Sequence, residues 1–311
     1  MPHTAPSAQN ARLGLWLGLL GVFIFALTLP MTRLAVGTPA NPQMSPWFVT
    51  FGRAALAGIL SIGVLLVTRA PLPTPAQRKP LLMALLGNAI GYPVLLGYAL
   101  RSVSASHAAV ITALLPLVTA AMAAWVLHQR ARLGFWVCAT LGGLLVVAYS
   151  LLRAQQMGHG FAMEWADLLL IGAVLAAALG YIYGAQVTPA LGAERVICWV
   201  CVLALPLTLP GAWLTWPDHP LNWSAWASLL YVGLFSMWMG FFAWYRGLAI
   251  GGALRVSQVQ LLQPFISIAA AVPLLGESLD VLTLGFALAV VAAVFLGKRF
   301  TVAPVASKAA P

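Results

Sequence analysis

Ten long apolar runs, separated by short polar breaks, constrain this chain more than any other feature. An α-helix needs about 20 apolar residues to cross about 30 Å of hydrocarbon. Runs of that length fall at 13–35, 46–68, 80–100, 104–127, 133–152, 165–186, 196–215, 223–245, 254–275 and 280–297. Because the backbone must satisfy its own hydrogen bonds inside lipid, only helices and closed barrels span it. The sequence therefore predicts an all-α integral membrane protein with ten transmembrane helices.

The composition fits that prediction and excludes other classes. The chain is 62% hydrophobic and 7% charged, whereas an average soluble domain is about 45–50% apolar and about 25% charged. Its 16 basic residues are scattered, so no face collects them for a nucleic acid. Cys198 and Cys201 form a C-x-x-C spacing inside an apolar run, which we interpret as two small residues on one helix face. We expect no metal, no cofactor and no enzymatic activity.

The charges along the chain predict an orientation. With a cytoplasmic N-terminus, twelve of the 16 Lys and Arg residues lie on the cytoplasmic side, and Arg33, Arg101 and Arg153 lie outside. Five of the six acids lie outside, and only Glu194 lies inside. The positive-inside rule then places both termini in the cytoplasm. The first run is longer than the 7–15 residues of a signal-peptide core, so we expect a retained helix.

The two halves of the chain resemble each other. A shift of 148 residues aligns Pro116 with Pro264, and a shift of 151 aligns Gly21 with Gly172. Because five runs repeat and five is odd, the copies must be inverted in the membrane, an architecture of transporters that bind solutes near the midplane. We predict a 5+5 inverted repeat around a central cavity. Its parts are an N-terminal tail (1–12), a first repeat (13–152), a linker (153–163), a second repeat (164–297) and a C-terminal tail (298–311).

Two segments carry a family signature. Residues 99–130 and 247–279 each have small residues entering a helix and a proline in mid-helix, and the second ends in Leu275-Gly276-Glu277. The first departs from this pattern with Leu127-His128-Gln129. The chain resembles the EamA family of the drug/metabolite transporter (DMT) superfamily over about residues 13–299, and is most similar to YddG-type bacterial amino acid exporters. This resemblance implies ten helices in a 5+5 inverted repeat around a central cavity, amino acids as substrates and the bacterial inner membrane as location.

Polar residues inside the runs are the candidates for a substrate-binding cavity. Arg53 lies about two turns inside the second run, where it can meet a carboxylate in a bidentate way, or extend to the outer interface instead. Asn88 and Tyr92 share a helix face. The other candidates are Tyr98, His107, Thr112, Tyr181, Trp238, Gln258, Gln260 and Gln263. Hydrogen-bonded seams between helices are the alternative for the amides, and a structural role is the alternative for His107.

Glycines and prolines inside the runs predict bends. Pro264 frees the backbone carbonyl of Gln260, and three glycines spaced by seven lie on one face of the eighth run, where a second helix can approach closely or the helix can flex. The predicted bend residues are Gly91, Pro93, Pro116, Gly233, Gly240, Gly247 and Pro264.

These features predict a secondary transporter that exports aromatic and other neutral amino acids by alternating access. The chain has no G-x-x-x-x-G-K-[ST] motif for ATP. Because no Asp or Glu falls near the middle of a run, we disfavour cationic-drug antiport and strong proton coupling. Anions such as nucleotide sugars or organophosphates, an intramembrane enzyme and a non-transporting scaffold remain alternatives. We expect a monomer in the lipid bilayer, with small solutes as its partners.

Overall fold

The computed structural model describes residues 8–126, 132–156, 164–251 and 257–300, and these residues form ten runs of helix. The first five are α1 (Ala8–Ala26 and Thr28–Val36), α2 (Pro46–Val67), α3 (Pro75–Ala84, Leu85–Gly91 and Tyr92–Ser102), α4 (Ala105–Thr112 and Leu115–Val126) and α5 (Leu133–Gln156). The second five are α6 (Trp165–Leu191), α7 (Ala193–Leu214), α8 (Trp223–Tyr231, Val232–Met239 and Gly240–Gly251), α9 (Ser257–Leu262 and Gln263–Leu275) and α10 (Val281–Lys298).

Each predicted run coincides with one of these helices. Among the described residues, α1 to α8 are long and apolar enough to cross a membrane, and the apolar parts of α9 and α10 are shorter, at Val259–Leu275 and Val281–Gly297. The helix ends differ from the predicted ones by a few residues. For example, α3 begins at Pro75, because Thr74 and Gln77 form a capping box ahead of the apolar stretch. The prediction of an all-helical membrane protein is confirmed.

Several helices are interrupted near their middles. Both α3 and α8 contain a π-helical segment, Leu85–Gly91 and Val232–Met239. Such segments are rare and often mark functional sites. Helix α1 is interrupted at Leu27, α4 at 113–114, and α9 begins with a 3-10 segment, Ser257–Leu262.

Six of the seven predicted bend residues lie at these interruptions or close to them, whereas Gly247 lies in the regular last part of α8. Gly91 ends the π segment of α3, and Pro93 is the second residue of the helix that follows. Pro116 and Pro264 occupy the second position of the helices that follow the breaks in α4 and α9. In α8, Gly233 lies inside the π segment and Gly240 directly follows it.

Helices from the first half pack on helices from the second. The most extensive contacts join α2 with α7, α1 with α8, α5 with α10 and α3 with α6, and α4 packs on α9. Glycines permit the closest of these approaches. A Cβ on Gly247 would lie 2.8 Å from the backbone nitrogen of Gly18 and 2.9 Å from the carbonyl oxygen of Gly14, so α8 and α1 meet backbone to backbone.

One end of the bundle, which we name the acidic end, holds Glu164, Asp167, Glu277 and Asp280. Arg153 of α5 donates to Asp280 at 3.3 Å, and Asp280 accepts the backbone N–H of Thr283 at 2.7 Å. Partial burial acts to raise the pKa of Asp280, but the hydrogen bonds from Thr283 and the charge of Arg153 outweigh it. The pKa of this carboxyl therefore lies below its usual value.

Candidate functional site

A small polar cavity lies between α3, α4, α9 and α10. Its volume is ≈ 30 Å³, enough for about two waters, so it is too small for a larger solute in this conformation. The polar side chains that line it come from α3, α4 and α9 and are Tyr92, Thr112, Gln260, Gln263 and Ser267. The prolines that follow the two helix breaks, Pro116 and Pro264, line it as well.

Hydroxyl groups connect this cavity to the helix breaks. The Ser267 hydroxyl donates to the backbone carbonyl of Ala26 at 2.6 Å, at the residue where the first part of α1 ends. The Thr112 hydroxyl donates to the carbonyl of Ala108 at 2.8 Å, which leaves its oxygen lone pairs available to a solute. The cavity therefore offers amide and hydroxyl groups at the level where the helices are interrupted.

Arg53 lies deep in the bundle, close to this cavity but not among its lining residues. The residue is 3% exposed, so its side chain does not extend to the surface. Its Nη2 donates to the hydroxyl of Ser236 at 3.1 Å, and that hydroxyl lies 2.8 Å from the hydroxyl of Thr28, directly after the break in α1. Tyr92, which lines the cavity, lies within electrostatic range of Arg53, as do Tyr181 and Cys201.

The other predicted site residues do not line the cavity. Asn88 packs against Gly180 of α6, and Tyr181 packs with Tyr92 on a cluster around Leu115. Trp238 packs on Phe242 with ring centres 5.0 Å apart and the rings tilted by 56°, and it does not line the cavity.

Tyr98 lies outside this arrangement altogether. It is 38% exposed and lines a surface cleft at the acidic end with Arg101 and Trp165. The side chain of Gln258 falls outside the described residues, as do residues 127–131, which include His128 and Gln129.

A buried hydrogen bond between His107 and Asp167 at the acidic end was not predicted from the sequence. The His107 imidazole lies 2.6 Å from the Asp167 carboxylate, with side-chain exposures of 6% and 1%. The His107 ring also packs on Tyr149 of α5, at 5.0 Å between ring centres. The sequence placed His107 alone at the start of its helix and Asp167 at a membrane edge. Nothing local connects two residues so far apart in the chain, because the packing of α4 on α6 creates the pair.

Glu277 also has a role that its motif did not indicate. Its carboxylate accepts the backbone N–H groups of Ala105 at 2.7 Å and Ser106 at 3.0 Å, and the Ser106 hydroxyl at 2.6 Å. These N–H groups belong to the first turn of α4 and have no partner within their own helix. In the sequence, the sign of this contact was the predicted start of a helix after Ser104, because the first N–H groups of a helix need acceptors from elsewhere in the protein.

Fold and site together define a polytopic helical membrane protein with a polar internal cavity. The EamA-like transporter family matches residues 12–151 and 164–297. The chain belongs to this family, which confirms the resemblance seen in the sequence, and it is a transporter of the EamA/DMT type.

Two further similarities extend over nearly the whole chain. The "Uncharacterized transporter YdeK" of Bacillus subtilis (strain 168) is 39% identical over 288 residues, which cover 91% of this chain and 96% of that protein. A solved crystal structure that is 18% identical matches with a TM-score of 0.60 over 93% of this chain and 97% of the other. At that identity the structural match supports the fold alone.

Proposed function

We propose that this protein exports aromatic and other neutral amino acids, and related small metabolites, across the bacterial inner membrane by alternating access. The observation that carries the proposal is the cavity lined by Tyr92, Thr112, Gln260, Gln263 and Ser267. Amide and hydroxyl groups offer both donors and acceptors, so they suit a zwitterion that carries an ammonium and a carboxylate. Small solute sites commonly combine an apolar lining with a few such polar groups.

A 5+5 inverted repeat is the architecture that we propose for this transport. Exchanging the halves turns the α1–α8 contact into the α6–α3 contact and leaves the α2–α7 and α5–α10 contacts in place, as a pseudo-twofold axis requires. The π segments of α3 and α8 occupy corresponding positions in the two halves under a shift of 148 residues. The two separate family matches support the same division.

The proposed orientation places both termini in the cytoplasm and the acidic end outside. We propose that the protein acts as a monomer without a cofactor. In this conformation the acidic end is fastened by the contacts of Glu277, Asp167 and Asp280. Access from the cytoplasm and access from outside would then alternate as the two repeats move against each other.

A solute panel in liposomes tests the proposed function. Purified protein in liposomes preloaded with threonine, methionine or phenylalanine should release them without ATP, faster than empty liposomes. A replacement of Gln263 by Ala should lower the flux, because Gln263 lines the cavity, and Gly63→Ala, on a surface with open space, should not. Flux of a nucleotide sugar, an organophosphate or a cationic drug, with none of any amino acid, would replace the proposed substrate class.

A further inference from the structure

We propose that Arg53 binds the carboxylate of the transported solute, so that the protein carries solutes with a free carboxylate and discriminates against their amides and decarboxylated amines. This assignment rests on the transport function proposed above and narrows it to one chemical class. It follows from three features of Arg53: its unused hydrogen-bond donors, its uncompensated charge and its place beside the cavity.

Most of the hydrogen-bond donors of Arg53 are unused. Its Nη2 donates to Ser236, but Nε and Nη1 are buried and have no hydrogen-bond partner among the described residues. A guanidinium has five N–H donors, and a buried donor without an acceptor costs free energy. A structural arginine is expected to have its donors satisfied by the fold, whereas a ligand-binding arginine keeps them for the ligand.

The positive charge of Arg53 also lacks a counter-charge in the described parts of the chain. The titratable groups that act on it electrostatically are Tyr92, Tyr181 and Cys201, and none of these is a carboxylate. A charge in the membrane interior is expensive and normally faces a partner or an aqueous cavity. A solute carboxylate supplies the negative charge and two acceptor oxygens at once, in the planar geometry that a guanidinium matches.

The position of Arg53 connects this charge to the solute pathway. Tyr92 lines the cavity and lies within electrostatic range of Arg53. On another side, Ser236 in the π segment of α8 holds the guanidinium and contacts Thr28 at the break in α1. A single guanidinium balances a single negative charge, so a monocarboxylate fits this site better than a phosphate with two charges.

Transport of chemically matched solutes by Arg53 variants tests the assignment. The variants are Arg53→Gln, Arg53→Lys and Arg53→Met, with Arg78→Gln as the control because Arg78 is an exposed cation at the start of α3. The solutes are phenylalanine, phenylalanine amide and phenethylamine, measured in liposomes. Each purified protein is also heated in detergent with and without phenylalanine, which measures binding without transport.

The wild type should carry phenylalanine about tenfold faster than the amide or the amine. Arg53→Gln and Arg53→Met should lower phenylalanine flux about 10- to 100-fold, Arg53→Lys should lower it less, and Arg78→Gln should leave it unchanged. Without a solute, Arg53→Met should unfold at the same temperature as the wild type or a higher one, because it removes a buried charge that the fold does not balance. A structural arginine would instead leave a less stable protein.

The outcomes separate this inference from the proposed function. Equal flux of phenylalanine and its amide, or unchanged phenylalanine flux in Arg53→Gln, would overturn the role of Arg53 while the transport of amino acids stands. A marked fall in the unfolding temperature of solute-free Arg53→Met would overturn it as well. Stabilisation by phenylalanine that is lost in Arg53→Gln, in a protein that carries no amino acid, would support the binding site and contradict the export function.

Discussion

Glu277 shows at the scale of one residue how a carboxylate fastens two elements together. It lies in the loop after α9 and accepts three hydrogen bonds from the first turn of α4, two of them from backbone N–H groups. The N-terminus of a helix carries a partial positive charge as well as unpaired donors, so an anion is favoured there. In this chain the cap comes from a loop in the second half of the chain, so it also connects the two halves.

Replacing Glu277 by Gln should therefore destabilise the protein. Gln keeps the length of the side chain but loses its charge and one acceptor oxygen, so we expect the unfolding free energy to fall by about 1–2 kcal/mol. The measurement is the thermal unfolding of purified protein in detergent. Glu194→Gln is the control, because Glu194 is an exposed acid in the first turn of α7. An equal loss of stability in Glu277→Gln and Glu194→Gln would show that the hydrogen bonds of Glu277 to α4 do not stabilise the protein specifically.

Residues whose partners are local were predictable, and residues whose partners are distant were not. The helix interruptions follow from Gly91, Pro93 and Pro264, whose backbone chemistry acts within a turn of their own position. The contact of His107 with Asp167 depends on how two helices pack, and no pattern along the chain encodes that distance. One cavity collects the candidate residues Tyr92, Thr112, Gln260 and Gln263, but Tyr98 and Trp238 lie elsewhere. A polar residue in an apolar run shows that its helix face is unusual, but it does not show which other helix that face packs against.

Between elements, the contact of α3 with α6 depends on glycines that leave no room for a side chain. A Cβ on Gly87 would collide with the carbonyl oxygen of Ala176 and lie 2.7 Å from the backbone nitrogen of Gly180. Asn88 fills the space over Gly180 on the same interface. Small residues allow this close packing in membranes, where van der Waals contact drives much of helix association. The π segment of α3 is thus fixed against an uninterrupted helix.

Gly87→Ala should consequently weaken the α3–α6 interface. The added Cβ would clash with backbone atoms, which cannot rotate away as the end of a side chain can. We therefore expect less folded protein and a lower unfolding temperature. Gly63→Ala is the matched control, because its added Cβ meets nothing within 4 Å, and there the higher helix propensity of Ala should be neutral or slightly stabilising. Folded yield is measured by size-exclusion chromatography of both variants. An unchanged folded yield and unfolding temperature in Gly87→Ala would mean that α3 and α6 can move apart without a loss of stability.

For the whole molecule, the proposed alternation of access depends on the contacts at the acidic end. Three acids hold this end together: Glu277 joins α9 to α4, Asp167 joins α6 to α4, and Asp280 joins α10 to α5. The Asp167 pair is the most buried of these contacts, and breaking a buried pair by removing one partner is costly. Its loss should therefore raise the population of molecules open at this end.

His107→Ala should expose the cavity from the acidic end, which the proposed orientation places outside the cell. The readout is the rate at which a membrane-impermeant thiol reagent modifies the cysteine introduced by Thr112→Cys. The background is a chain in which the three native cysteines, Cys138, Cys198 and Cys201, are replaced by Ser. We expect the rate to rise several-fold in His107→Ala and in Asp167→Asn. Arg78→Gln, a change far from the acidic end, should leave the rate unchanged. Identical rates in all variants would show that the His107–Asp167 contact does not keep this end closed.

The two π segments have a consequence for how strongly a solute binds from each side. Each lies close to the middle of its helix, Leu85–Gly91 within 75–102 and Val232–Met239 within 223–251. A bend at mid-length moves the two ends of a helix in opposite directions, whereas atoms at the bend hardly move. Ser236 lies within one segment and Tyr92 directly follows the other, so the groups around Arg53 should keep their arrangement whichever face is open. The intrinsic dissociation constant of the solute, once corrected for the fraction of protein open to each side, should therefore be nearly the same from the cytoplasm as from outside.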